Sequence, residues 1–379
     1  MQEQVKVYLD SCQEELKQLI RDLCAIPAPS HHEEKRAAFC KEWFDKNGFP
    51  GVYIDEALNV ICPYRVEAEG PITVIMAHTD TVFPDLEPMP LVDDGEKIHY
   101  PGVGDDTANL AIMMICARYL VQNNVPTKGG ILFVANSCEE GLGNLKGSRA
   151  IAKAFGSRVQ AWISFDGNAL NEIVNGAVGS HRYQVTVCTE GGHSFGKFGN
   201  RNAIAVLSSM ISTLYSVKVP QDGNSKTTYN VGTITGGTSV NTIAQEASML
   251  FEYRSDSVVC LEKMEDMFRK VLAAYEATGV EIETQLLGER PCAKGVDPQA
   301  QRDLELLAEA SIQSVCGKEP FYESGSTDCN IPLSLGIPAL CMGIVEYVGA
   351  HTREEKLFLR SLRPGCQLCM DFLYRFVKE

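Results

Sequence analysis

The stretch Ile72-Thr73-Val74-Ile75-Met76-Ala77-His78-Thr79-Asp80-Thr81 decides the architecture. From Ile72 to Ala77 it is apolar and rich in β-branched residues, too short for a stable helix, and it stops abruptly at polar side chains. That pattern predicts a strand buried on both faces. Outward from it, the chain reads as a helix over Ala108 to Gln122, a strand over Ile131 to Asn136, a helix over Asn144 to Phe155 and a strand over Ala161 to Phe165. Strands alternating with helices build βαβ units, so the expected class is α/β with a mixed, mainly parallel sheet. Upstream, Val5, Leu9, Cys12, Leu16, Leu19, Ile20 and Leu23 recur at helical spacing as far as the Pro27 and Pro29 turn. Ser30 with Glu33 then reads as a capping box for the next helix.

Near Gly176 the character changes. His181 to Thr189 alternates like a half-exposed strand, and Asn202 to Val217 is helical. Thr227 to Thr235 and Glu246 to Arg254 are strands, Cys260 to Thr278 is a helix, and Val280 to Gln285 is another strand. This β-α-β-β-α-β order predicts a compact α+β layer of four strands and two helices. From about Pro291 the α/β character returns through a helix at Arg302 to Val315, a strand at Ala339 to Met342 and a final helix to Glu379. Residues 177–291 are thus expected to form a small domain inserted into a larger one made of residues 1–176 and 292–379.

The chain has 379 residues, more than one ordinary domain holds. Its 34 Lys and Arg against 49 Asp and Glu leave a formal charge of −15, which repels phosphate backbones and argues against a nucleic-acid partner. At 45% hydrophobic and 22% charged, the composition is that of a soluble globular protein. No window holds the roughly 18 unbroken apolar residues that a membrane helix needs. The most apolar stretch, Ile331 to Val345, is interrupted by Pro332, Ser334 and Pro338. The opening MQEQVKVYLDSCQEEL is polar and acidic where an export signal needs a basic start and an apolar block. The 14 scattered cysteines read as small buried hydrophobes in a reducing compartment, so a cytoplasmic location is expected.

Five short segments carry candidate chemistry. In the first, alternation along a strand puts His78 and Asp80 on one face, so the imidazole could hold a metal with a carboxylate beside it; a histidine bonded to its neighbour is the plainer alternative. In Gly102-Val103-Gly104-Asp105-Asp106-Thr107, two adjacent acids in a glycine-rich loop exceed what a helix cap requires, though a cap alone is the other reading. In Ser137-Cys138-Glu139-Glu140-Gly141, neighbouring carboxylates repel, and either a cation or bulk water relieves this. Asp166 ends an apolar strand, and Gly349-Ala350-His351 enters the last helix. Together they set two histidines and several carboxylates at the strand ends of an open α/β sheet, where sites form.

As an ordered set these segments resemble the dinuclear-zinc metallopeptidase family of peptidase T, carboxypeptidase G, aminoacylase-1 and the acetylornithine and succinyl-diaminopimelate deacylases. The resemblance runs from Ile26-Pro27 and Ser30-x-x-Glu33 to Ala350-His351-x-x-x-Glu355. It implies a zinc-exopeptidase-like catalytic domain with an inserted lid and dimerisation domain. It also implies two divalent ions, zinc or in its place cobalt or manganese. His78 and Asp166 match ligands of one, His351 and Glu140 ligands of the other, and Asp105 the bridge between them. Asp80 matches the carboxylate that orients His78, and Glu139 the general base. With three carboxylates against two dications, the residual positive charge favours hydroxide over water in the bridge. His193, in Gly191-Gly192-His193-Ser194, matches a histidine that crosses a dimer interface to stabilise an oxyanion. Asn241 and Arg254 match positions holding the substrate's polar end, with an ion pair to Glu252 as the structural alternative for Arg254. Ser326-Thr327-Asp328 matches a segment near the site.

Two departures bear on activity. Thr107 stands where the family loop often has lysine, and Asp166 is an aspartate where carboxypeptidase and deacylase members tend to have glutamate. The shorter acid is characteristic of the aminopeptidase and dipeptidase branch. The expectation is therefore a cytoplasmic homodimer, joined through the inserted domain, that hydrolyses amide bonds in small peptides. A deacylase or carboxypeptidase acting on N-acyl or γ-linked amino acids is the first alternative, and a non-catalytic metal-binding dimer the remote one. Neither nucleic acid nor membrane is expected as a partner.

Overall fold

The computed structural model describes residues 3–378; Met1, Gln2 and Glu379, which the expected first domain and last helix include, lie outside the described residues. The chain divides into two compact units, Met1–Ala177 with Lys294–Glu379, and Val178–Ala293.

The first unit is built on an eight-stranded sheet in the order Tyr53–Ile54, Val60–Tyr64, Gly130–Asn136, Ile72–His78, Val159–Phe165, Ala339–Met342, Glu172–Ala177 and Phe321–Gly325. Four neighbouring pairs are parallel and three antiparallel, so the sheet is mixed and mainly parallel, as its pattern predicts. Every residue of the central Ile72–His78 strand is buried. Ile75 and Ala77 join one core cluster, with Phe133, Ile163 and the Asn109–Gln122 helix, while Val74 and Met76 join another with Trp162 and Ile151. Two covered faces explain an apolar run without alternation.

Three details depart from expectation. The first helical stretch is two helices, Glu3–Ser11 and Gln13–Cys24, meeting where the Gln13 side-chain amide donates to the Leu9 carbonyl at 2.9 Å. Ser30 and Glu33 form no capping box: the next helix, Glu34–Lys46, begins without a side-chain cap bond. Ser30 Oγ instead donates to Asp80 Oδ2 at 2.6 Å, and Glu33 Oε1 accepts the backbone N–H groups of His31 and Cys138 at 3.1 and 3.0 Å. Finally, His351 does not enter the last helix, which runs Leu362–Lys378. It sits in a turn between Tyr347–Val348 and Lys356–Phe358, two strands of a small antiparallel sheet with Lys97–His99 and Val92–Asp93. Left-handed backbone at Gly349 (φ 82°) and His351 (φ 61°) makes a continuous helix impossible there.

In the second unit, the strands lie in the order Thr227–Gly236, Glu246–Ser255, Gly179–Cys188 and Glu281–Arg290, all antiparallel. Alternate side chains, among them Val185, Val187, Met249 and Phe251, pack with Leu207 and Met210 of the Ala203–Ser216 helix and Met264 and Phe268 of the Val258–Glu276 helix. Cys292 joins this core and donates to the Ser255 carbonyl at 3.1 Å, which carries the unit's end to Ala293. Among the described residues, no helix is long and apolar enough to cross a membrane.

A polar knot closes this second core. Glu265 Oε2 accepts from the hydroxyls of Tyr183 (2.9 Å) and Tyr253, and Oε1 accepts from Arg269 Nε at 2.6 Å. Burial acts to raise the Glu265 pKa, but these donors outweigh it and hold the group at about 2, against an ordinary 4.5. Because the folded value is depressed, the stabilisation is complete above the ordinary value and is lost as pH falls through it toward 2. Glu265→Gln is expected to cost about 1–2 kcal/mol in denaturant melts at neutral pH. That difference should shrink in melts as pH falls below 4.5 and close near pH 2; a gap of constant size would show that the charge is not what the knot holds.

Candidate metal centre

Three neighbouring parallel strands deliver most of the centre at their carboxyl ends. Gly130–Asn136 leads into Glu139 and Glu140, Ile72–His78 ends on His78 with Asp80 just beyond, and Val159–Phe165 is followed by Asp166. An irregular turn, Val103–Ala108, contributes Asp105, and the small antiparallel sheet contributes His351 from its turn. His78 Nε2 lies 3.1 Å from Asp105 Oδ1 and 3.9 Å from Asp166 Oδ1. His351 Nε2 lies 3.2 Å from Asp105 Oδ2 and 3.3 Å from Glu140 Oε1. Asp105 therefore turns one oxygen to each histidine. In each of the groups His78/Asp105/Asp166, Asp105/Glu140/His351 and His78/Glu139/Glu140, the donor atoms lie within 4.8 Å of one another.

The electrostatics show a crowd of acids short of positive charge. Burial, then the Asp105 charge, pushes Glu140 up to about 7, and burial lifts Asp166 well above the carboxylate range. Hydrogen bonds to Asp105 and Glu140 hold the His351 imidazole up at about 10. Burial alone would lower His78, but the charge of Asp106 and the bonds to Asp105 and Asp80 raise it well above its ordinary value. Asp105 is driven below the usual range despite its burial, because both imidazoles bond to it. Protons on the imidazoles are doing what cations would do more effectively. Two sets of one imidazole and two carboxylates, sharing one acid, fit two divalent cations.

A surrounding layer of side chains fixes these donors. Asp80 Oδ1 accepts from Glu139 N at 2.9 Å, and its Oδ2 accepts from Glu140 N at 3.0 Å as well as from Ser30. Its nearest approach to His78 Nδ1 is through its backbone carbonyl at 3.0 Å, with the carboxylate at 3.4 Å, so one residue steers both the ring and the Glu139–Glu140 turn. Asp106, joined to Asp105 by a cis peptide bond, is no helix cap: Oδ2 accepts from His78 N at 2.9 Å and Oδ1 from Asn109 Nδ2 at 2.7 Å. Asp328 is fully buried and accepts from Asn136 Nδ2 at 2.6 Å and Ser148 Oγ at 2.5 Å, anchoring the strand end that leads to Glu139. Thr107 is buried, and its hydroxyl has no hydrogen-bond partner among the described residues. Sequence reasoning gives no role to Asp106, Asn136 or Glu355; the doubled acid was the one local signal for Asp106.

The remaining candidates belong to the second unit. His193 is exposed, and its Nδ1 accepts from Phe195 N and Gly196 N, both at 3.3 Å, which leaves the ring proton on Nε2 as a donor. The Gly192–His193 strand pairs with Thr242–Ile243, and Ser194 N donates to the Asn241 carbonyl at 3.0 Å, so Asn241 sits beside that loop. Arg254 gives two bonds to Glu252, both at 3.0 Å; the ion pair is formed.

Comparison with known proteins agrees with this architecture. The model of peptidase family M20/M25/M40 matches residues 74–375. An uncharacterised protein of Bacillus subtilis, YqjE, is 25% identical over 377 residues, spanning 94% of this chain and 97% of its own. Aminopeptidase PepT from Bacillus cereus is similar in structure with a TM-score of 0.74 at 22% identity, over 97% of this chain and 99% of that one. A tripeptidase from Staphylococcus aureus is similar with a TM-score of 0.77, also at 22% identity and over 97% and 99% of the two chains. Matched by the family model over most of its length, this chain is a metallopeptidase and belongs to peptidase family M20/M25/M40.

Proposed function

We propose that the chain is a cytoplasmic, homodimeric zinc aminopeptidase or di/tripeptidase acting on small peptides with a free amino terminus. One observation carries the reading: the two oxygens of Asp105 face two different imidazoles, at 3.1 and 3.2 Å. His78, Asp105 and Asp166 would hold one cation, and His351, Asp105 and Glu140 the other. Zinc suits such sets, and cobalt or manganese accept the same donors. Bound there, the ions supply Lewis-acid polarisation of the scissile carbonyl and acidify water. Glu139 stands outside both ligand sets; it takes the proton of the attacking water and carries it to the leaving amine nitrogen. Asp80 keeps that base in place through the Glu139 N–H. His193, with its proton on Nε2, donates to the developing oxyanion in the partner's site. Asn241 and Arg254 hold the substrate's polar end, Arg254 exchanging Glu252 for it.

Several features support the finer points. The short acid Asp166 favours the aminopeptidase and dipeptidase branch. All 14 cysteines are free thiols, in keeping with a reducing compartment. Thr227–Gly236 is an edge strand of the second unit's sheet and exposes Ile234, the kind of edge that a second copy would cover.

A panel of Xaa-Xaa, Xaa-Xaa-Xaa and N-acetyl amino acids tests the substrate class: hydrolysis of the unblocked peptides is expected, and cleavage of the blocked compounds alone would make the chain a deacylase. Glu139→Gln should lower kcat about 10²–10⁴-fold while both metals stay bound. Unchanged turnover would remove Glu139 as the base. Because His351 is held at about 10 and His78 is also raised, both rings carry protons near neutral pH without metal. Loading should therefore expel both protons, and affinity should fall as pH falls. Calorimetry in two buffers of different ionisation enthalpy reads this directly; heats that do not depend on buffer would contradict it.

A further inference from the structure

We propose that Glu355 is a positioning residue that fixes the shared acid Asp105 and the His351 turn as one piece, so that the two cation positions fill or fail together. Its side chain is fully buried, and both of its oxygens accept from backbone N–H groups of the Asp105 loop. Oε2 accepts from Gly102 N at 2.8 Å, while Oε1 accepts from Gly104 N at 2.7 Å and Asp105 N at 3.0 Å. The loop needs such an acceptor because Asp105 departs from helical geometry (φ −105°, ψ 89°), so a regular helical ladder does not serve these donors. Three donors converging on two oxygens call for a carboxylate. Glutamine would present an amide NH₂ to one side of the cluster, donor against donor.

The other end of the brace is equally fixed. Glu355 lies four residues beyond His351, just before the Lys356–Phe358 strand, whose Lys356 pairs with His99. On the opposite flank of the same turn, the ring of Tyr347 packs so closely on Gly104 that a Cβ at position 104 would run into it. The loop and the turn, 253 positions apart at the Gly102 bond, thus grip each other through one carboxylate and one ring. Movement of Glu355 moves the shared ligand and the second histidine together.

The inference rests on the reading of Asp105 as a ligand of both ions, and the test separates the two. Zinc binding to the metal-stripped chain is measured by chelator competition for the natural chain and for Glu355→Gln, with the visible spectrum of each cobalt-loaded form recorded alongside. The natural chain should bind two ions, and Glu355→Gln should weaken both about 10–100-fold in parallel and shift the cobalt bands, as loss of a ligand's supporting partner does. Two ions held at natural affinity, or weakening confined to one of them, would overturn the role of Glu355. Fewer than two ions on the natural chain would instead remove the shared-ligand reading, and this proposal with it. Should Glu355→Gln fail to fold, Glu355→Asp, which keeps both oxygens one methylene short, is judged by the same parallel loss in smaller measure.

Discussion

Asp105 accepts from His78 on one oxygen and from His351 on the other, and nearly everything in the first unit can be read as holding that division in place. The acid comes from an irregular turn braced by Glu355, one histidine from the end of a fully buried strand, and the other from a turn between two short strands. None of these elements alone fixes a distance between imidazoles. Their convergence on one carboxylate does, and it brings several acids into a buried space that holds too little positive charge of its own.

The sheet makes that convergence rigid. Its central strands are covered on both faces, by one cluster around Ile75, Phe133 and Ile163 and another around Val74, Leu132 and Trp162. Their carboxyl ends therefore have little freedom, and side chains placed there inherit that precision. The supporting residues extend it by one layer. Asp80 ties the Glu139–Glu140 turn to His78, Asp106 ties the His78 backbone to the helix that follows, and Asp328 ties down the strand end leading to Glu139. Charges that would be costly in isolation each have a fixed donor.

The parts of this arrangement that were legible in the sequence are those with a local signature. Ile72 to Ala77 could only be a buried strand, and the α/β alternation around it predicted the mixed sheet that the structure contains. Acids and histidines at strand ends point to a single site from their order alone. What escaped the sequence depends on partners far along the chain. Glu355 shows its purpose only beside Gly102, and Asp328 only beside Asn136 and Ser148. Ser30 and Glu33 have the spacing of a capping box, yet tertiary partners at Asp80 and Cys138 claimed both side chains. The Glu172–Ala177 and Phe321–Gly325 strands have polar residues that blur any periodicity, and the three-residue strand after His351 is too short to show one.

The second unit has a hydrophobic core of its own, and the chain enters it at Val178 and leaves it at Ala293. Its sheet, its helices and its Glu265 knot are built from residues of that unit. The segment is in effect a cassette: no member of the acid cluster lies within it, so drift or loop grafting there replaces none of them. A lineage built this way can retune which molecules it greets piece by piece, so long as the loop of His193 is kept.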